Sequence, residues 1–131
     1  MRLVCLLLGL VVIVAGCATS SDPQHDMASI CRFESDHGVL HLSGPTDQAM
    51  AECIAELADA GVRTIRINSG GGNVERALDA AEVIADWRAH IIVDEACNSS
   101  CANYFLPVAR RVTLSPRAMV LLHGSIDQGF V

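Results

Sequence analysis

Two adjacent hydroxyls, Ser99 and Ser100, sit in the stretch EACNSSCANYF, and an imidazole, His123, follows 23 residues after Ser100. Upstream, RINSGGGN places Gly70, Gly71 and Gly72 in a row. A hydroxyl, a base that takes its proton and a turn rich in backbone N–H donors are the parts that acyl transfer requires. Glycine is unfavourable in both strands and helices, so three at one joint imply a tight turn or a close approach to the backbone. Backbone donors in such a turn can hold a developing oxyanion, where losing one donor costs about 3 kcal/mol. A phosphate site fits less well, because the chain has no GxGxxG run and no Lys for a Walker loop. Taken singly, each part has a plainer role: the serines as helix N-caps, His123 as a surface residue, the glycines as a turn.

Cys97 and Cys101 flank the two serines. They have three readings. A disulfide would brace the serine turn, provided the Cα atoms come within about 4.4–6.8 Å. Metal ligation together with His123 lacks an evident fourth ligand. Cys101 could itself be the nucleophile. For Cys53 the alternatives are a buried free thiol and a bond to Cys31; four cysteines allow three full pairings.

The elements that must position these groups follow from periodicity. Gly38–Ser43 alternates as a strand, and Gly44-Pro45 breaks it. Thr46 or Asp47 can cap a helix whose apolar stripe is Met50, Cys53, Ile54, Leu57 and Ala58. Gly61 stops that helix. VRTIRIN is a second strand. After the glycines, Val74, Ala77, Leu78, Ala81, Ile84 and Ala85 form a second helical stripe ending near Arg88. HIIVDEA is a third strand. Asn103–Ala109 is a helical segment shortened by Pro107. RRVTLS and AMVLLH are further strands. Strands alternating with helices predict βαβ units and a largely parallel sheet. In such a sheet, ligands bind at the carboxyl edge of the strands.

The chain has 131 residues, 51% of them hydrophobic, which predicts one globular domain. A net charge of −6 argues against a nucleic-acid partner. Arg2 followed by the apolar run Leu3–Val14 and by Val14-Ala15-Gly16-Cys17 has the layout of a secretory leader. Small residues directly before a cysteine resemble a bacterial lipobox. The expected organisation is therefore a signal peptide at 1–16, a lipidated Cys17 and tether at 17–37, and the domain at 38–131. That places the protein in the bacterial cell envelope, held to the membrane through lipid on Cys17 and facing the periplasm or exterior, where disulfides persist.

From about Gly38 to His123 the chain resembles the Clp protease proteolytic subunit and its relatives in the ClpP/crotonase superfamily. VLHLSGP resembles the first strand and turn. RINSGGG resembles the INSPGG loop, with Gly70 in place of proline. SSCANYFLPVARRVTLSPRAMVLLH resembles the nucleophile helix, a strand, a Pro-containing turn and the strand that ends in the catalytic His. The resemblance implies an α/β fold of repeated ββα and βαβ units around a mostly parallel sheet, incomplete at the C-terminus. It implies a serine peptidase with Ser100 as nucleophile, Ser99 as the adjacent fallback and His123 as general base. The N–H groups of Gly72 and Cys101 would be the oxyanion donors, with Gly71 shaping the loop. A peptide or protein substrate, no cofactor and self-association are implied; an ATPase partner is not expected outside the cytoplasm.

The chain departs from the pattern at the triad acid, which lies well beyond the His in that family; here only Asp127 follows. A fragment, a dyad, or an acid from a partner are the options. The Ser-Lys pair of a membrane-bound relative is excluded by the absence of Lys, and Arg66 and Arg76 alone are weak support for acyl-CoA chemistry. A non-catalytic peptide-binding or self-assembling module is the alternative function, and a small structural lipoprotein a third. His41 reads as structural, and Arg110 and Arg111 as a solvated strand edge.

Overall fold

The computed structural model describes residues 28–124. The leader, Cys17 and Asp127 lie outside the described residues. Six strands form one sheet: β1 (Ile30–Glu34), β2 (Val39–Ser43), β3 (Thr64–Ser69), β4 (His90–Asn98), β5 (Arg111–Leu114) and β6 (Met119–Leu121). Along the sheet the order is β1-β2-β3-β4-β5, and β6 also pairs with β4. β1 runs antiparallel to β2; every other pairing is parallel. Helices α1 (Gln48–Glu56) and α2 (Val74–Trp87) connect β2 to β3 and β3 to β4. After β4 a π-helical segment, Cys101–Phe105, runs into the short α3 (Leu106–Val108).

One face of the sheet is the core. Leu40, Leu42, Ile65, Ile67, Ile91 and Val93 alternate along their strands and are buried under the helices. The other face carries His41, Arg66, Ile92 and Thr113 side by side across four strands, and these are partly exposed. Arg66 pairs there with Asp94. His41 Nε2 stands 3.2 Å from Glu34 Oε1. Glu34 is held below the usual carboxylate range first by its hydrogen bond from Arg32. His41 Nε2 is buried and makes no hydrogen bond.

Asp47, rather than Thr46, caps α1 by accepting from Met50 N at 2.9 Å. The second helical stripe is rotated from the expected one. Ala77, Ala80, Ala81 and Ile84 are buried, whereas Val74 and Leu78 are nearly half exposed. Small alanines let α2 lie close to α1 and the sheet, so the larger side chains turn outward.

β1 falls within the segment expected to be a tether, so the folded unit begins before Gly38. Its sequence, ICRFE, carries two charges in five residues and gives a weak strand signal. A disulfide from Cys31 to Cys53 fixes this edge strand to α1. Cys53 is therefore not a free thiol. With the cysteines 22 positions apart, loop closure predicts a contribution of about 3 kcal/mol. A Cys31→Ser/Cys53→Ser variant should lose about that much in urea unfolding; an unchanged midpoint would show that β1 needs no staple.

Candidate active site

Because β3, β4 and β6 are parallel, the turns that follow them leave the same edge of the sheet. The glycine turn follows β3, the serine turn follows β4, and His123 follows β6. The three parts that are remote in sequence thus share the carboxyl edge.

A break in β4 makes this arrangement possible. Its first half, His90–Val93, pairs with β5, and its second half, Ala96–Asn98, pairs with β6. The β3–β4 register shifts between Ile67 and Ser69: Ile67 faces Val93 but Ser69 faces Cys97. The extra residues of β4 form a bulge that bends the strand and re-aims its end. Cys97 and Cys101 are bonded to each other across the serine turn, with Cα atoms 5.3 Å apart, and both are fully buried. Their thiolates are therefore unavailable as metal ligands, and Cys101 is no nucleophile.

Gly71 and Gly72 are required by the chain itself. Gly71 has φ +92, and a Cβ there would lie 2.6 Å from Asn98 O and 2.7 Å from Ser99 Cβ. Gly72 has φ +154, and a Cβ there would lie 3.0 Å from Thr46 N and Oγ1. The turn is sandwiched between the β2–α1 loop and the serine turn. Thr46 N donates to Gly71 O, and Asn73 N donates to Thr46 O, both at 3.0 Å. Gly70 has open space around it and a φ outside the left-handed region. The third glycine is therefore not demanded by packing.

The two serines differ sharply. Ser100 is 1% exposed. Its Oγ accepts from Gly72 N at 2.8 Å and lies 2.6 Å from Thr46 Oγ1. It also donates to Gly72 O at 3.3 Å. The hydroxyl expected to attack is thus enclosed, and the Gly72 N–H expected to hold an oxyanion is turned onto it. Ser99 is partly exposed and sits in the left-handed region at φ 54. Its N donates to Leu121 O at 2.8 Å, and its carbonyl accepts from Asn103 N at 2.8 Å. Asn103, one turn later, donates from Nδ2 to His123 O at 2.8 Å. Asn98 Oδ1 accepts from Leu121 N at 3.0 Å. The strand leading to His123 is therefore clamped by Asn98, Ser99 and Asn103. Among the described residues His123 makes no hydrogen bond to either serine. Its ring is exposed, with Nδ1 3.1 Å from Gly124 O.

Sequence reasoning passed over Thr46 and Asn103. In the sequence Thr46 reads only as a helix cap, and no local pattern shows that it reaches Ser100, 54 residues away. Among the described residues no group of His, Cys, Asp and Glu is arranged to hold a metal, and no helix is long and apolar enough to cross a membrane.

No family model and no curated protein sequence matches the chain. Solved structures do resemble it. An enoyl-CoA hydratase from Mycobacterium avium subsp. paratuberculosis K-10 aligns with TM-score 0.52 and 13% identity, covering 70% of this chain and 48% of that one. An enoyl-CoA hydratase from Mycobacterium smegmatis aligns with TM-score 0.47 and 12% identity, covering 66% of this chain and 47% of that one. The chain spans about half the length of these structures. At such identity the likeness is one of fold.

Proposed function

From the crotonase-type fold and the geometry of its carboxyl edge, we propose that the protein is a serine hydrolase of the bacterial envelope acting on peptides, with Ser99 as nucleophile and His123 as general base. The observation that carries this reading is the left-handed backbone of Ser99 at a strand-to-helix turn. A non-glycine residue in that region carries of order 1–3 kcal/mol of strain. Such strain at the head of a helix sets a nucleophile out from the backbone, clear of its neighbours. Ser100, by contrast, acts as a brace between Thr46 and the glycine turn.

The dyad has a way to dispense with a third carboxylate. Donation from His123 Nδ1–H to the Gly124 carbonyl leaves Nε2 as the basic nitrogen, the tautomer a triad acid would otherwise impose. His123 then takes the Ser99 proton as Oγ attacks the carbonyl carbon. The oxyanion would rest on N–H groups of the kind that a helix start leaves without i−4 partners. His123 returns the proton to the leaving amine, and water releases the acyl group by the same route.

Two disulfides support an oxidising compartment, in keeping with a leader and lipidated Cys17. The exposed Leu114, Met119, Leu121 and Leu122 on β5, β6 and just beyond support association with further copies. The test is treatment of the purified full chain with a fluorophosphonate probe. Covalent labelling at Ser99 is the expected result; a folded protein that takes no label would instead be the non-catalytic peptide-binding module. Mass spectrometry of the mature N-terminus checks the anchor, and an unmodified Cys17 would remove it.

A further inference from the structure

At the edge of the sheet opposite the serine turn, the strands begin with basic residues. Arg63 precedes β3, His90 opens β4, and Arg111 opens β5; Thr64, His90 and Arg111 are aligned across the three strands. Together with Arg88 and Arg110 they line a cavity of about 270 Å³, with no carboxylate among its lining residues. Backbone bonds hold the cluster in place: His90 N donates to Arg63 O at 2.9 Å and Arg110 N to Ala89 O at 3.0 Å.

Two features mark these arginines, the first of which Arg117 shares. Arg32, Arg66 and Arg76 are each paired with a carboxylate. Among the described residues, none of the four arginines lining the cavity is. Four like charges converge in a chain whose net charge is −6 and which carries 15 carboxylates able to neutralise them. All four are exposed, so solvent screens part of their mutual repulsion, and an anion in the space would offset the rest. Second, Arg88 caps α2 in the left-handed region at φ 49. Glycine is the usual residue at such a helix end, and any side chain there is strained. The long cationic side chain occupies a position where the backbone would be better served by none.

Guanidinium groups present forked N–H donors that match the oxygens of a tetrahedral oxyanion. We infer that this cavity is a binding site for a phosphate group, separate from the hydrolytic edge and independent of the reading given to it. A free phosphate and the phosphodiester of an anionic lipid headgroup share that chemistry.

Two arms distinguish them, both using the full chain in nonionic detergent or reconstituted from it. In the first, inorganic pyrophosphate is titrated by calorimetry at low ionic strength. In the second, association with phosphatidylglycerol vesicles is compared with association with phosphatidylcholine vesicles. Wild type is expected to bind in at least one arm, and Arg110→Ala/Arg111→Ala to weaken that binding about tenfold or more. Arg117→Ala, an exposed arginine outside the cavity, should leave it unchanged. Binding confined to pyrophosphate assigns a free anion; a preference for phosphatidylglycerol that the double variant loses assigns the lipid headgroup. Both substituted arginines are exposed, so the variant should melt with wild type. No saturable binding in either arm, or equal binding by wild type and the double variant, would overturn the site.

Discussion

Ser99→Ala should lower hydrolysis by about three orders of magnitude or more and abolish fluorophosphonate labelling, while leaving the fold intact. The size follows from removing the group that forms the covalent intermediate, which leaves only binding and oxyanion stabilisation. Ser100→Ala should behave differently. It strips the partner from the buried Thr46 hydroxyl and from Gly72 N–H, a loss of about 1–3 kcal/mol in stability. Labelling of the folded fraction should persist. Ser99→Gly sharpens the contrast, because glycine occupies φ 54 without strain. That variant should be more stable than wild type by about 1 kcal/mol, yet inactive. Urea unfolding read beside probe labelling separates the three variants. Labelling that survives in Ser99→Ala and vanishes in Ser100→Ala would return the nucleophile to Ser100.

Gly71→Ala should be the most damaging single methyl group in the protein. Its Cβ would meet the backbone oxygen of Asn98 at 2.6 Å, and the alanine would have to hold φ +92. That backbone oxygen and the Ser99 Cβ at 2.7 Å are not the ends of flexible side chains, so the glycine and serine turns must separate. A loss of about 3 kcal/mol or more is expected, with labelling lost together with the fold. Gly70→Ala, one residue earlier, meets open space. It should be neutral or stabilise by about 0.5–1 kcal/mol through the unfolded chain. Melting temperatures of the two variants give a direct comparison. Equal effects would mean that the turn is not packed between Thr46 and Ser99 as described.

The parallel α/β arrangement was legible because apolar residues recur with period 2 in Leu40–Leu42, Ile65–Ile67 and Ile91–Val93, and with helical period in Ala77, Ala81 and Ile84. That patterning is a local property of the chain, and burial of one face follows from it. Asp47 and the glycine turn likewise announce helix starts at short range. The edge strand β1 was not legible, since its pairing and its disulfide come from β2 and α1 rather than from its own composition. Nor could the line of residues choose between two neighbouring serines. Their types and positions name a hydroxyl, an imidazole and a glycine turn on one sheet edge. Which hydroxyl is free depends on a bulge in β4, on the left-handed turn at Ser99 and on Thr46 reaching Ser100 from 54 residues away. These are contacts between distant segments, and only the folded chain brings them to within bonding distance.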